Sequence, residues 1–121
     1  MLQHVSIEIP PAEADSAVKF WELLGFARVD SPEALGGYVT WLEREGTQIH
    51  LIHTDGATAP VLGHAAVVVD DFEATMARVG ESGHEVEETR SLWGARRAFA
   101  IGPGGHRVEL MESPPPPARL G

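Results

Sequence analysis

The fold is decided by a stretch of sequence that occurs twice. It reads LQHVSI at residues 2–7 and LGHAAV at residues 62–67, so that His4 and His64 stand at equivalent places 60 residues apart. Apolar and polar residues alternate in the first copy, which is typical of a strand that buries one face. A stretch that returns far along the chain indicates an internal repeat, because each copy builds the same structural unit.

A second pair of stretches has almost the same spacing. IHLIH at residues 49–53 is similar to VELME at residues 108–112, which places His50 and Glu109 at equivalent positions 59 residues apart. Each half therefore contributes one early strand with a His and one late strand with a His or a Glu. If the halves pack as related modules, these four side chains can converge and form a metal site.

Length and composition limit what the chain can be. Its 121 residues correspond to one domain of ordinary size, built here from two half-length modules. It has no cysteine, which excludes disulfides, thiolate zinc sites and cysteine nucleophiles. No apolar run approaches the roughly 20 residues that span a bilayer. The formal charge of −9 argues against nucleic acid and anionic membranes as partners, so we expect a cytoplasmic domain.

Periodicity and turn residues divide both halves into the same order of elements, β-α-β-β-β. This pattern predicts an α+β domain over residues 1–113, with modules at 1–53 and 62–113 and a linker at 54–61. Residues 114–121 form a proline-rich tail, because consecutive prolines cannot continue a sheet. Helices are expected near Ala14 and Phe72, and strands at residues 3–9, 26–29, 38–42, 48–53, 64–69, 85–87, 97–101 and 107–111.

Several predicted strands carry their polar residues on one face. These residues are His4, Ser6 and Glu8 on the first strand, Gln48 and His50 on the fourth, and Arg107 and Glu109 on the last. Such a face in a small domain is expected to line a wet cavity, because buried polar groups need partners. Two imidazoles and a carboxylate suit zinc, nickel, manganese or ferrous iron, and they leave coordination positions open for a substrate.

Four motifs cover nearly the whole domain in a characteristic order. They are His4 in the first strand, AVKFWELLGF at residues 17–26, GHAAVVVDD at residues 63–71 and GPGGHRVELME at residues 102–112. Together they resemble the vicinal oxygen chelate superfamily, which includes glyoxalase I, fosfomycin-inactivating thiol transferases, methylmalonyl-CoA epimerase, extradiol dioxygenases and bleomycin-binding proteins. The resemblance implies that the two modules form a cup-shaped, glyoxalase-like mixed sheet that holds one divalent metal ion.

By position in that family, His4, His64 and Glu109 stand on the strands that carry metal ligands. His50 stands where the glyoxalase I and epimerase branches usually have Glu or Gln, and it is interpreted either as a fourth ligand or as a substrate-facing group. Glu109 and His50 are also the candidates for proton transfer. The His, His, Glu set is shared with the fosfomycin transferases and dioxygenases, whereas the bleomycin-binding branch lacks it.

Further residues are candidates for a substrate pocket. Ser6 and Glu8 share the predicted face of His4. Trp41 lies in the middle of a strand, and Trp93 lies in a loop where it could wall a pocket. Arg97 could bind an anionic substrate, with a solvated surface arginine as the alternative.

The final turn departs from the family pattern at two positions. Gly102 stands where Asp is common, and His106 stands where Asn is common. We interpret both departures as turn chemistry and expect His106 to be solvated.

The favoured function is that of a divalent-metal-dependent, glyoxalase-like enzyme. Such a lyase or isomerase would act on a small substrate that chelates the metal through vicinal oxygens. The alternatives are a thiol transferase that opens an epoxide antibiotic and a non-catalytic small-molecule-binding protein. Exposed sheet edges predict a homodimer, and the sequence leaves open whether the site lies within one chain or across two.

Overall fold

The computed structural model describes residues 1–119, and the last two residues of the predicted tail, Leu120 and Gly121, lie outside the described residues. The first module contains β1 (His4–Ile9), α1 (Ala14–Leu23), β2 (Ala27–Val29), β3 (Val39–Arg44) and β4 (Thr47–His53). The second module contains β5 (His64–Val68), α2 (Phe72–Glu81), β6 (Val86–Thr89), β7 (Arg97–Ile101) and β8 (Arg107–Met111). Over this part of the chain, no helix is long and apolar enough to cross a membrane.

Each module forms its own mixed four-stranded sheet. Sheet 1 has the strand order β1-β4-β3-β2, and sheet 2 has the order β5-β8-β7-β6. In both sheets the first strand runs parallel to the last one, and the remaining pairs are antiparallel. The predicted α+β class and the two βαβββ modules are therefore confirmed. The repeat is also confirmed in register, because Ser6 pairs with His50 as Ala66 pairs with Glu109.

The helices cover one face of each sheet and leave the other face to the polar residues. α1 buries Ala17, Phe20 and Trp21 against the sheet, as expected for an amphipathic helix. α2 begins after Asp71, whose side chain accepts a hydrogen bond from the Ala74 N–H and so caps the helix. Because the apolar residues of the strands meet the helices, the side chains that alternate with them point away from the core.

Polar contacts join the two modules at both ends of the interface. Arg44 of β3 donates to the Val68 carbonyl at 2.6 Å and pairs with Asp70 at 3.2 Å. At the other end, His106 lies in the turn before β8 and its Nε2 donates to the Glu8 carbonyl of β1 at 2.6 Å. These contacts fix β1 relative to β8, although the two strands belong to different sheets.

The turn between β7 and β8 corrects one expectation. His106 is buried, with 9% of its surface exposed, so the prediction that it is solvated is wrong. The reason is its hydrogen bond to β1, which no local pattern around the turn reveals. Gly102 has a packing role as well, since a Cβ atom there would lie 3.0 Å from the Phe20 ring. A side chain at this position would crowd the Phe20 ring of α1, and the ring would have to shift to admit it.

Candidate metal centre

The first pair of candidate ligands lies on the polar face of sheet 1. The imidazoles of His4 and His50 stack with ring centroids 4.1 Å apart and planes inclined by 16°. On its other side, His50 stacks on the indole of Trp41, with centroids 4.0 Å apart and parallel planes. His50 is thus held between two rings and is buried, whereas His4 is exposed. Trp41, a predicted pocket residue, therefore positions a candidate ligand directly.

A hydrogen-bonded relay fixes the tautomer of His50. The amide nitrogen of Gln48 donates to Glu43 at 2.8 Å, which orients the amide so that its oxygen faces Nε2 of His50 at 2.7 Å. Nε2 must then donate, and Nδ1 carries the lone pair. Burial lowers the pKa of His50 below its usual value, and the nearby His4 lowers it further. A neutral imidazole held by a second group is the arrangement found in histidine metal ligands.

The second pair lies at the equivalent positions of sheet 2. Nε2 of His64 is 3.1 Å from Oε1 of Glu109, and Nδ1 of His64 is 2.9 Å from the Leu62 carbonyl. The carbonyl can only accept, so Nδ1 donates to it. In the neutral imidazole, Nε2 then presents a lone pair to a carboxylate oxygen. Two facing lone pairs need a proton or another cation between them.

The other oxygen of Glu109 is already occupied. Arg97 donates to Oε2 at 3.2 Å, and both side chains are largely buried. Arg97 also donates to the Arg90 carbonyl at 3.1 Å. The predicted substrate-binding arginine is therefore engaged in holding Glu109. The ring of Phe99 lies beside this group, with its centroid 5.0 Å from that of His64.

The single chain places the four candidate ligands in two separate pairs. His4 and His50 belong to sheet 1, and His64 and Glu109 belong to sheet 2. Within residues 1–119, no group of three or more His, Asp or Glu side chains is placed so that it could hold a metal ion. Convergence of all four ligands remains a prediction.

An open groove runs between β1 and the strands β5 and β8. It has a volume of about 380 Å³, and its lining includes Ser6, Glu8, His64 and Arg107. Two of the predicted pocket residues, Ser6 and Glu8, therefore share one cavity with a candidate ligand. The indole of Trp93 lies elsewhere, since its Nε1 donates to the Ser113 carbonyl near the start of the tail.

Three residues with a part in the site could not be assigned from their sequence positions. Gln48 orients His50, His106 holds the turn before β8 against β1, and Arg107 lines the groove. The alternation of β4 and β8 placed Gln48 and Arg107 on the correct faces. Their contacts depend on side-chain conformations that strand periodicity does not specify.

The donor set fits a divalent metal ion. In the neutral forms just described, Nδ1 of His50, Nε2 of His64 and a carboxylate oxygen of Glu109 each present a lone pair. Nitrogen and carboxylate donors in this proportion suit zinc and the other borderline divalent metals.

Comparisons with known proteins agree with this fold. The model of the Glyoxalase/Bleomycin resistance protein/Dioxygenase superfamily matches residues 2–110. The chain belongs to this superfamily, as its sequence motifs implied. A search of the curated proteins gives no match.

Solved structures share the fold at low sequence identity. A glyoxalase family protein from Bacillus anthracis is similar with a TM-score of 0.81 and 22% identity, over 92% of this chain and 93% of that one. The fosfomycin resistance protein FosX from Listeria monocytogenes has a TM-score of 0.73 and 16% identity, over 92% and 89%. The bleomycin resistance determinant of transposon Tn5 has a TM-score of 0.62 and 19% identity, over 88% and 94%. These likenesses establish the fold.

Proposed function

We propose that this protein is a divalent-metal-dependent enzyme of the glyoxalase type, acting on a small substrate with two vicinal oxygens. The observation that carries the proposal is the pair His64 and Glu109, whose facing atoms lie 3.1 Å apart. Because Nδ1 of His64 is committed to a carbonyl, the pair is arranged to share a cation. The buried His50 has the matching position on the other sheet, which supports a common role for both pairs.

The complete site is proposed to form between two copies of the chain. The polar face of sheet 1 is open, since His4, Ser6 and Glu8 are all exposed. A homodimer that places this face against the polar face of the partner's sheet 2 would join the two ligand pairs. Two-fold symmetry would form the same site twice.

Within such a site, the residues of this chain have separable tasks. A bound divalent metal would act as a Lewis acid on the chelating oxygens of the substrate. Arg97 donates to Oε2 of Glu109, which fixes this carboxylate in place. Glu8 lies exposed on the face of His4, and its side chain forms no hydrogen bond within the described residues. Glu8 is therefore the more mobile candidate for a general base, beside Glu109 and His50.

The test begins with metal analysis of protein purified without a histidine tag. The protein is loaded separately with zinc, nickel, manganese and ferrous iron, and the bound metal is counted per chain. Metal-loaded protein is then assayed with thiol-hemiacetal, epoxide and catechol substrates, of which the epoxide tests the thiol transferase alternative. Protein that stays metal-free in all four solutions would refute the proposal.

One observation favours a second candidate function, that of a non-catalytic binding protein. The groove between β1 and β5 is also lined by apolar side chains, among them the half-buried Val5 and Ile7, and its volume suits a small molecule. A binding protein would take up a ligand there without turning it over. Metal content together with turnover separates this candidate from the enzyme.

A further inference from the structure

Arg107 is the one arginine near the candidate ligands that has no acidic partner among residues 1–119. Its guanidinium lies over the Phe99 ring, with Cζ 4.4 Å from the ring centroid. Its Nε is buried and forms no hydrogen bond within this part of the chain. The neighbouring Arg97 differs, because it is paired with Glu109 at 3.2 Å.

The position of Arg107 places it beside the candidate metal pair. On β8 it precedes Glu109 by two residues and so lies on the same face, and its Cα is paired with that of His64 across the sheet. Phe99 contacts both side chains, since its ring centroid is 5.0 Å from that of His64. The Arg107 guanidinium and the His64 imidazole are therefore separated by no more than one aromatic side chain.

A half-buried guanidinium with an unpaired N–H is unusual in a folded protein, because it destabilises the fold. Buried donors are normally hydrogen-bonded, and an unpaired one indicates an acceptor that the isolated chain does not provide. The planar fork of Arg matches a carboxylate in a two-bond geometry. Because the protein carries a formal charge of −9, this cation does not belong to a general basic surface.

We infer that Arg107 binds an anionic group, a carboxylate, on the substrate whose vicinal oxygens chelate the metal. The inference rests on the proposed function and specifies its substrate class. Arg107 lines the groove beside β1 and also a second cavity on the face of sheet 2, together with Phe99. Glu8 lines the groove, and Glu85 and Glu87 line the second cavity, so Arg107 supplies the positive charge that a carboxylate would meet there. The substrate is accordingly a small molecule with a carboxylate near its two chelating oxygens.

The first experiment uses metal-free protein in whichever oligomeric state it has in solution. Its outcome therefore does not depend on the metal. Benzoate is titrated while the NMR signals of the Arg107 guanidinium are followed, and benzamide serves as the neutral analogue. Benzoate is expected to shift these signals in a saturable manner, and benzamide is not. R107Q should weaken benzoate binding by at least about tenfold, the effect of losing a charge-assisted hydrogen bond.

Matched variants separate recognition from folding. R28Q removes an exposed arginine on β2 in the other module and should bind benzoate like the wild type. R107K keeps the charge and the apolar stem over Phe99, so it should fold and recover part of the affinity even if R107Q is unstable. Equal benzoate affinity in wild type, R107Q and R107K, or no saturable binding by the wild type, overturns the inference.

The second experiment uses zinc-loaded protein, because zinc carries no redox chemistry. Catechol and 3,4-dihydroxybenzoate present the same two vicinal oxygens and differ in one carboxylate. Wild-type protein should bind 3,4-dihydroxybenzoate at least about tenfold more tightly than catechol, and R107Q should lose this preference while its catechol affinity is unchanged. Failure to bind zinc, with benzoate binding intact, would refute the metal proposal and leave the role of Arg107 standing. No preference for 3,4-dihydroxybenzoate would refute the role of Arg107 alone.

Discussion

Nε2 of His64 lies 3.1 Å from Oε1 of Glu109, although the two residues stand 45 positions apart on β5 and β8. The parallel pairing of these strands brings them together, because Ala66, two residues after His64, is the register partner of Glu109. The same pairing of β1 with β4 places His4 near His50. A repeated strand pairing therefore produces two ligand pairs at equivalent positions in one chain.

Replacing the carboxylate of this pair should reduce metal binding. Glu109→Gln keeps the size of the side chain and removes the anionic oxygen that faces His64. We expect zinc affinity to fall by at least about tenfold, which even changes outside the ligand sphere produce. Titration calorimetry measures the effect, with the exposed Glu22→Gln on α1 as the control. Equal zinc affinity in both variants would remove Glu109 from the ligand set.

A mixing experiment tests whether the site is shared between chains. One variant carries His4→Ala with His50→Ala, and the other carries His64→Ala with Glu109→Ala. Neither binds metal alone, but a dimer of one chain of each keeps one site in which all four ligands are intact. If the variants are co-expressed and pair at random, bound zinc should return to about one quarter of the wild-type amount. If all ligands of a site came from one chain, the mixture would bind no more zinc than either variant alone.

The sequence predicted the repeat, the order of elements and the side chains that share each polar face. These features follow from periodicity, because apolar and polar residues alternate along the sequences of β1, β4 and β8. The sequence did not predict that the isolated chain would keep the pairs His4–His50 and His64–Glu109 apart. The packing of two modules depends on contacts between residues far apart in the chain. The stacking of Trp41 on His50 is of the same kind, since it depends on side-chain conformation across a strand pair.

Removing the contact between His106 and β1 should destabilise the fold. His106→Ala leaves the Glu8 carbonyl without its 2.6 Å partner and opens a gap at a buried position. We expect the free energy of unfolding to fall by about 1–3 kcal/mol, the usual cost of a buried group left unpaired. Urea unfolding measures the change, and Lys19→Ala on the exposed face of α1 is the control. A His106→Ala variant as stable as this control would show that the contact is dispensable.

The lowered pKa of His50 predicts how the metal-free protein responds to pH. Burial and the adjacent His4 lower the pKa of His50 in the folded state below 6.5, its ordinary value, which applies to the unfolded chain. Below pH 6.5 the unfolded chain therefore binds a proton at this residue that the folded chain does not bind. The stability that His50 contributes is complete above this pH and is lost as the pH falls through the folded-state value.

Urea unfolding of the metal-free protein from about pH 8 to about pH 5 tests this dependence, because an ordinary imidazole titrates in that range. His50→Gln should lose less stability on acidification than the wild type. His53→Gln, on the same strand but on its opposite face, should retain the wild-type dependence. Identical pH profiles for wild type and His50→Gln would contradict the prediction.

The role of His50 is decided by comparing it with the residue that orients it. The Gln48 amide oxygen accepts a hydrogen bond from Nε2–H of His50 at 2.7 Å, so that Nδ1 carries the lone pair. If His50 is a metal ligand, His50→Ala should lower zinc affinity by at least about tenfold, and Gln48→Leu should lower it in the same direction because the imidazole is no longer held. Thr47→Val, which changes the residue before Gln48 on β4, should leave the zinc affinity unchanged. If zinc affinity is intact in His50→Ala while turnover falls, then His50 contacts the substrate or transfers a proton, and the metal keeps three ligands from the protein with more positions open to the substrate.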